Sequence, residues 1–191
     1  MPSLSHFDLL APLYDHFIKT KDPNKLAALA NLPTNGSLLD VGGGTGRIAI
    51  SIKEMVSKLV VVDLSLNMLR QAIKKDGLRA VCSPSEKLPF PNESFERVIM
   101  VDALHHVYDH QVTARELWRV VKPNGCVVIE EPDIRIFSVK LAALVEKIAL
   151  MRSHFISPNK IQTLFSYPNA KSRIEGDGYT SWVVIEKRSI H

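Results

Sequence analysis

Short, uninterrupted apolar runs recur along the chain, and a segment of mixed polarity follows each one. They are Ser37 to Val41, Lys58 to Asp63, Leu78 to Cys82, Arg97 to Val101 and Cys126 to Ile129. Continuous rather than alternating hydrophobicity is the pattern of parallel strands covered on both faces. The intervening segments read as helices: Thr45 to Ser57, Ser65 to Lys75, Gln111 to Val121 and a longer amphipathic stretch from Phe137 to His154. Ser65 suits an N-cap, Gly77 ends the second helix, and Lys122-Pro123-Asn124-Gly125 stops the third. Strand and helix in alternation predict an α/β doubly wound parallel sheet with right-handed crossovers.

The last part of the chain follows another pattern. Ser172 to Glu175 and Tyr179 to Lys187 flank Gly176-Asp177-Gly178, which predicts an antiparallel hairpin on Asp-Gly turn chemistry. About 30 residues at the start read as helical with no strand partner, and are expected to cover the open edge of the site. The 191 residues fit one domain, with a cover over 1–30, a core over 37–132, and helices plus hairpin over 133–191.

Composition changes this picture little. A hydrophobic share of 46% against 23% charged residues is that of a globular chain. The formal charge of +4 is dispersed, with no basic cluster interleaved with aromatics, so nucleic acid is not expected as a partner. Cys82 and Cys126 offer neither a disulfide framework nor a metal spacing, and fit buried thiols in a reducing compartment. No apolar run reaches the length of a membrane helix, and the first ten residues lack a signal-peptide pattern, so a cytoplasmic location is expected.

The strongest chemical signal is Leu39-Asp40-Val41-Gly42-Gly43-Gly44-Thr45-Gly46-Arg47. A glycine-rich turn between strand and helix lets a ligand approach the backbone closely, as nucleotide cofactors do at the carboxyl edge of such sheets. A dinucleotide fingerprint would need its third glycine one residue later, where Arg47 stands. A carboxylate at Asp40 also suits a cationic ligand better than a pyrophosphate. Asp63 closes the second strand, where an acidic side chain is placed to accept from ribose hydroxyls, and Leu64 beside it offers an apolar edge.

These residues resemble the class I S-adenosylmethionine-dependent methyltransferases. Leu38 to Ile50 is similar to their first motif, and Val60-Val61-Val62-Asp63-Leu64-Ser65 to their acidic second-strand motif. Glu86 to Phe95, with its Leu88-Pro89-Phe90, resembles the branch of the ubiquinone and menaquinone methyltransferases. So do Asp102 to Val107 at the fourth strand and Glu116 to Gly125 before the fifth. The resemblance implies a seven-stranded Rossmann-like sheet ordered 3-2-1-4-5-7-6, with S-adenosyl-L-methionine as cofactor and S-adenosyl-L-homocysteine as product. It implies that Gly42, Gly43, Gly44 and Gly46 cradle the methionine part, with Asp40 supporting the loop or the amino group. Asp63 would bind ribose, Leu64 and Met68 would line adenine, and Asp102 with Ala103 would lie beneath the methionine moiety. Tyr14, paired with Asp15, would reach the cofactor carboxylate. Where the family usually places an acid for the adenine amino group this chain has Pro84, so Ser83 and Ser85 are the expected substitutes.

Methyl transfer from a sulfonium is a direct displacement, so the protein's task is mainly alignment, and a base is needed only by some acceptors. His105 and His106 are the candidate bases for a small-molecule acceptor. With His110 nearby but no distant ligand in a matching motif, a metal is not expected. Ile134, Ile136, Phe137, Leu141 and Leu144 carry the helical spacing of a core face, and pocket lining is their second reading. Two other functions fit the same fold: an inactive methyltransferase-like binding module, which Pro84 keeps open, and a nicotinamide-dependent oxidoreductase, which the glycine spacing disfavours.

Overall fold

A computed structural model describes residues 23–136, 139 and 154–190. Tyr14, Asp15, most of the expected N-terminal cover and nearly all of the expected 137–154 helix lie outside the described residues. Seven strands form one sheet: β1 Thr34–Val41, β2 Val56–Asp63, β3 Arg79–Cys82, β4 Phe95–Val101, β5 Val121–Pro132, β6 Ala170–Gly176 and β7 Thr180–Lys187. Their order is β3-β2-β1-β4-β5-β7-β6, as the resemblance implies. β1 to β5 pair in parallel, and β7 runs antiparallel to both β5 and β6. The helices are α1 Pro23–Leu29, α2 Arg47–Ile52, α3 Leu66–Ala72, α4 His110–Val120 and α5 Pro158–Thr163.

The continuous apolar runs are explained by two cores, one on each side of the sheet. Leu39, Val41, Val60, Val62, Val98, Met100, Val127 and Ile129 face one way, with Leu117 of α4 and Ile161 of α5. Their strand neighbours Leu38, Leu59, Val61, Ile99 and Val128 face the other, with Leu26 of α1, Ile52 of α2 and Leu69 of α3. Each fully buried side chain of this size contributes about 1.5–3 kcal/mol, so the sheet is the principal source of stability.

Three local features differ from the pattern reading, and each has a physical cause. The helix expected over 45–57 runs only from Arg47 to Ile52 and gives way to a 3₁₀ turn at Lys53–Met55, because Val56 is already drawn into pairing with Thr34. The Lys122–Gly125 turn does not separate helix from strand. It bulges out within β5, since Val121 pairs with Phe95 and Cys126 with Arg97. Asn124 takes φ 61 there, a conformation Asn tolerates well. The second helix starts where expected, with Ser65 Oγ accepting from Met68 N–H at 3.2 Å, but ends at Ala72. The hairpin forms as expected, its turn closed by the Asp177 carboxylate accepting from the N–H groups of Tyr179 and Thr180.

Candidate active site

Parallel pairing brings the carboxyl ends of β1, β2, β4 and β5 to one edge, the usual binding edge of a doubly wound sheet. The glycine loop leaves β1 there, with Gly42 at φ 72, Gly44 at φ 55 and Gly46 at φ 71. Two of its glycines are sterically obligatory. A Cβ on Gly42 would stand 2.4 Å from the Ala103 Cβ, and one on Gly43 would stand 2.5 Å from Asp40 Oδ2. The loop therefore packs directly against the turn after β4, with Gly42 against Ala103.

Asp63 ties the loop to β2. One carboxylate oxygen accepts from Gly44 N–H at 2.9 Å and the other from Ser65 N–H at 2.8 Å. Asp40 lies beneath the same loop, 1% exposed, and its Oδ2 has no hydrogen-bond partner. Burial, and then the neighbouring Asp63 charge, push its carboxyl up from 3.8 to about 7, with Arg47 opposing. An oxygen so placed is a receptor for a cationic donor, which is the test the cofactor's ammonium group has to pass. The residues present fit it.

Leu64 is 70% exposed at the end of β2, whereas Met68 is buried. Of the two serines expected near adenine, Ser83 donates its hydroxyl to the Lys87 carbonyl at 2.7 Å, and Ser85 lies within hydrogen-bond distance of Glu86 and Thr113. Glu86 accepts from the N–H groups of Tyr108 and Asp109, which anchors the loop after β4.

That loop begins at Asp102, a non-glycine residue at φ 50, and turns into a 3₁₀ segment at Leu104–His106. His105 is buried, and its Nδ1 lies 2.5 Å from Glu131 Oε2. The other Glu131 oxygen accepts from Leu104 N–H at 2.7 Å. The Phe155 ring stacks on His105 at 4.2 Å, and the His106 ring lies 3.9 Å away. Burial, and then the charge of His105, hold the His106 imidazole down at about 3, so it is neutral at physiological pH. His110 is also shifted down by burial, although the His154 backbone opposes the shift. Among the described residues no group of three or more His, Cys, Asp or Glu side chains could hold a metal ion, and no helix is long and apolar enough to cross a membrane.

Sequence reasoning missed Glu131 and the Glu116–Arg119 pair. Two successive charges, Glu130 and Glu131, closing the apolar run of β5 were the available signal for the first. Glu116 accepts from Leu88 N–H, while Arg119 donates to the carbonyls of Leu88 and Phe90 and to Asn92 Oδ1. Together they latch the Leu-Pro-Phe segment onto α4.

A family model described as a methyltransferase domain matches residues 39–129, from the glycine loop's strand to the middle of β5. This stretch of the chain is similar to a methyltransferase domain, and it holds the glycine loop and Asp63. Among curated proteins, a ubiquinone/menaquinone biosynthesis C-methyltransferase of Syntrophotalea carbinolica is 34% identical over 142 residues, which is 65% of this chain. The chain spans 59% of that relative's length. A solved Thermotoga maritima structure, described as an S-adenosylmethionine-dependent methyltransferase and possible histamine N-methyltransferase, aligns with TM-score 0.77 at 20% identity. It covers 95% of this chain and 98% of that one. The 4+2 cyclase SpnF aligns with TM-score 0.78 at 13% identity over 96% and 95% of the two chains, so the methyltransferase fold alone does not fix the reaction.

Proposed function

We propose that the methyltransferase domain transfers a methyl group from S-adenosyl-L-methionine to a small-molecule acceptor by direct displacement. The observation that carries this reading is the buried Asp40 oxygen without a donor, beneath a loop whose Gly42 and Gly43 leave no room for a side chain. When bound, the cofactor supplies a methyl group already activated on a sulfonium. In this reading Gly42 to Gly46 back its methionine part, Asp40 meets its ammonium group, and Asp102 and Ala103 floor the same space. Asp63 reaches the ribose from the end of β2, Leu64 covers the adenine with Met68 behind it, and Ser83 and Ser85 shape the adenine rim. His105 and His106 lie on the acceptor side. Tyr14, the expected partner of the cofactor carboxylate, lies outside the described residues. The name carried by the curated relative makes a carbon atom of a ubiquinone or menaquinone precursor the first acceptor to screen.

Calorimetric titration with S-adenosylmethionine and S-adenosylhomocysteine tests the reading, with NADH in parallel and an Asp63→Ala variant alongside. Micromolar binding, near −8 kcal/mol, that weakens strongly in the variant is expected. Binding of neither ligand, or of NADH instead, refutes the proposal.

A further inference from the structure

The edge of the sheet opposite the glycine loop carries a cleft of about 210 Å³. It lies where Arg97 of β4, Cys126 of β5 and Glu186 of β7 pair side by side. Asn31, after α1, Asn124, in the β5 bulge, and Lys187 and Arg188 line it as well.

The acids and thiol of this cleft leave its positive charge uncovered. Lys187 Nζ is spent on Glu93 at 3.2 Å and on the carbonyls of Trp118 and Val121. Glu186 accepts from Arg173 at 2.9 Å, and burial pushes the Cys126 thiol up, so it stays neutral. Two guanidinium groups remain, Arg97 and Arg188, and neither has an ion pair among the described residues. Arg97 is half-buried and donates Nε to the Ala30 carbonyl at 2.6 Å and Nη1 to the Glu96 carbonyl at 2.9 Å. Carbonyl dipoles orient a guanidinium without neutralising it, and a charge drawn partly out of water with no counter-ion costs stability. Arg188 is fixed through its backbone: its N–H donates to the Asn169 carbonyl, and its carbonyl accepts from the Asn169 amide, both at 2.9 Å. Its guanidinium has no hydrogen bond among the described residues, and neither have the side-chain amides of Asn31 and Asn124.

We infer that this cleft is an anion site for a phosphate group, free or carried on a small monoester, held by Arg97 and Arg188 with Asn31 and Asn124 as further donors. Guanidinium forks match phosphate oxygens, and the bonds they form are charge-assisted. Donors from four separate segments suit the several oxygens of a tetrahedral anion better than the two of a carboxylate. The volume equals about seven waters at 30 Å³ each, room for a phosphate with a short ester arm. The site is separate from the glycine loop and does not depend on the methyl-transfer reading.

Amide-resolved NMR of the full chain tests this, with inorganic phosphate titrated at constant ionic strength against sodium chloride, and glycerol phosphate titrated separately. Saturable shifts are expected at the N–H groups of Gly125 and Cys126, with half-saturation at or below about 10 mM. Arg188→Ser, an exposed position, should raise the half-saturation point about fivefold or more, whereas Arg70→Ser, which removes the same charge from α3, should leave it within about twofold. Glycerol phosphate binding about threefold tighter than phosphate would assign the site to an ester, and equal binding to the free ion. The absence of saturable shifts, shifts confined to the glycine loop, or native affinity in Arg188→Ser overturns the inference. So does an equal loss in Arg70→Ser, which would mean general charge screening rather than a site.

Discussion

Replacing Asp40 by Asn is expected to stabilise the unliganded protein and weaken it as a cofactor receptor. The carboxyl is 1% exposed, its Oδ2 lacks a donor, and burial with the Asp63 charge raises it from 3.8 to about 7. A raised carboxyl means that the native state keeps a proton the unfolded chain releases. Stability is therefore full below about pH 4, falls as pH rises from 4 to 7, and is flat above 7. At about 1.4 kcal/mol per pH unit that rise is worth about 4 kcal/mol, and relaxation around the buried charge reduces it to about 2–4. Asn carries no charge to bury. Urea unfolding of both proteins from pH 4 to pH 9 should give a slope in the native protein that the variant lacks, with the variant the more stable at pH 8. An ammonium ligand loses a charge-assisted hydrogen bond in the variant, so S-adenosylmethionine affinity should fall about ten- to hundredfold. Parallel pH profiles, or undiminished affinity, would refute both the buried charge and its assigned partner.

Gly42→Ala places a Cβ 2.4 Å from that of Ala103 at φ 72, and should lower the melting temperature by about 5 °C, from roughly 2 kcal/mol of strain, and abolish cofactor binding by calorimetry. An unchanged melting temperature would show that the loop is not seated on β4. Arg119→Met removes the donors that hold Leu88, Phe90 and Asn92, and should cost about 2–3 kcal/mol in urea unfolding; a change below about 0.5 would mean the latch is idle. Burial pushes the Glu96 carboxyl up, but Lys122 and the Ser37 N–H and hydroxyl together outweigh it and hold the group down at about 2. Its contribution is present above about pH 4.5 and lost as pH falls toward 2. After screening, Glu96→Gln should remove about 1–2 kcal/mol at neutral pH and flatten that acid limb.

The sheet was legible because burial on both faces leaves continuous apolar runs, and because Ser65 and Asp177 carry local cap and turn chemistry. Boundaries were less legible where pairing decided them, as at Val56, which the Thr34 partner draws out of a helical pattern. The β5 bulge escaped for the same reason: a Lys-Pro-Asn-Gly turn reads identically whether it ends a helix or loops out of a strand. Asp40, the glycines and Asp63 were found because their chemistry is local in sequence. Glu131 was not, since its meaning comes from a partner 26 residues away that only β4–β5 pairing brings alongside.

Asp40 and Glu131, two of the buried carboxylates near the carboxyl edge of the sheet, are treated oppositely. Asp40 keeps an oxygen with no donor and is pushed toward neutrality, a state that protonation or a cationic donor at that oxygen relieves. Glu131 has both oxygens engaged by its own chain. A core selected for stability alone would carry apolar residues at both positions, as it does next door at Val41 and Ile129. The unsatisfied acid lies under the glycine loop and fits recognition of a charged ligand, while the satisfied one ties β5 to the turn after β4 through Leu104 N–H and His105. The two separate by experiment: Asp40→Asn should weaken S-adenosylmethionine binding while raising stability at pH 8, whereas Glu131→Gln should lower the melting temperature. A Glu131→Gln variant as stable as the native protein would mean that the carboxylate does not hold this turn, and the assignment of separate tasks to β1 and β5 would fall with it.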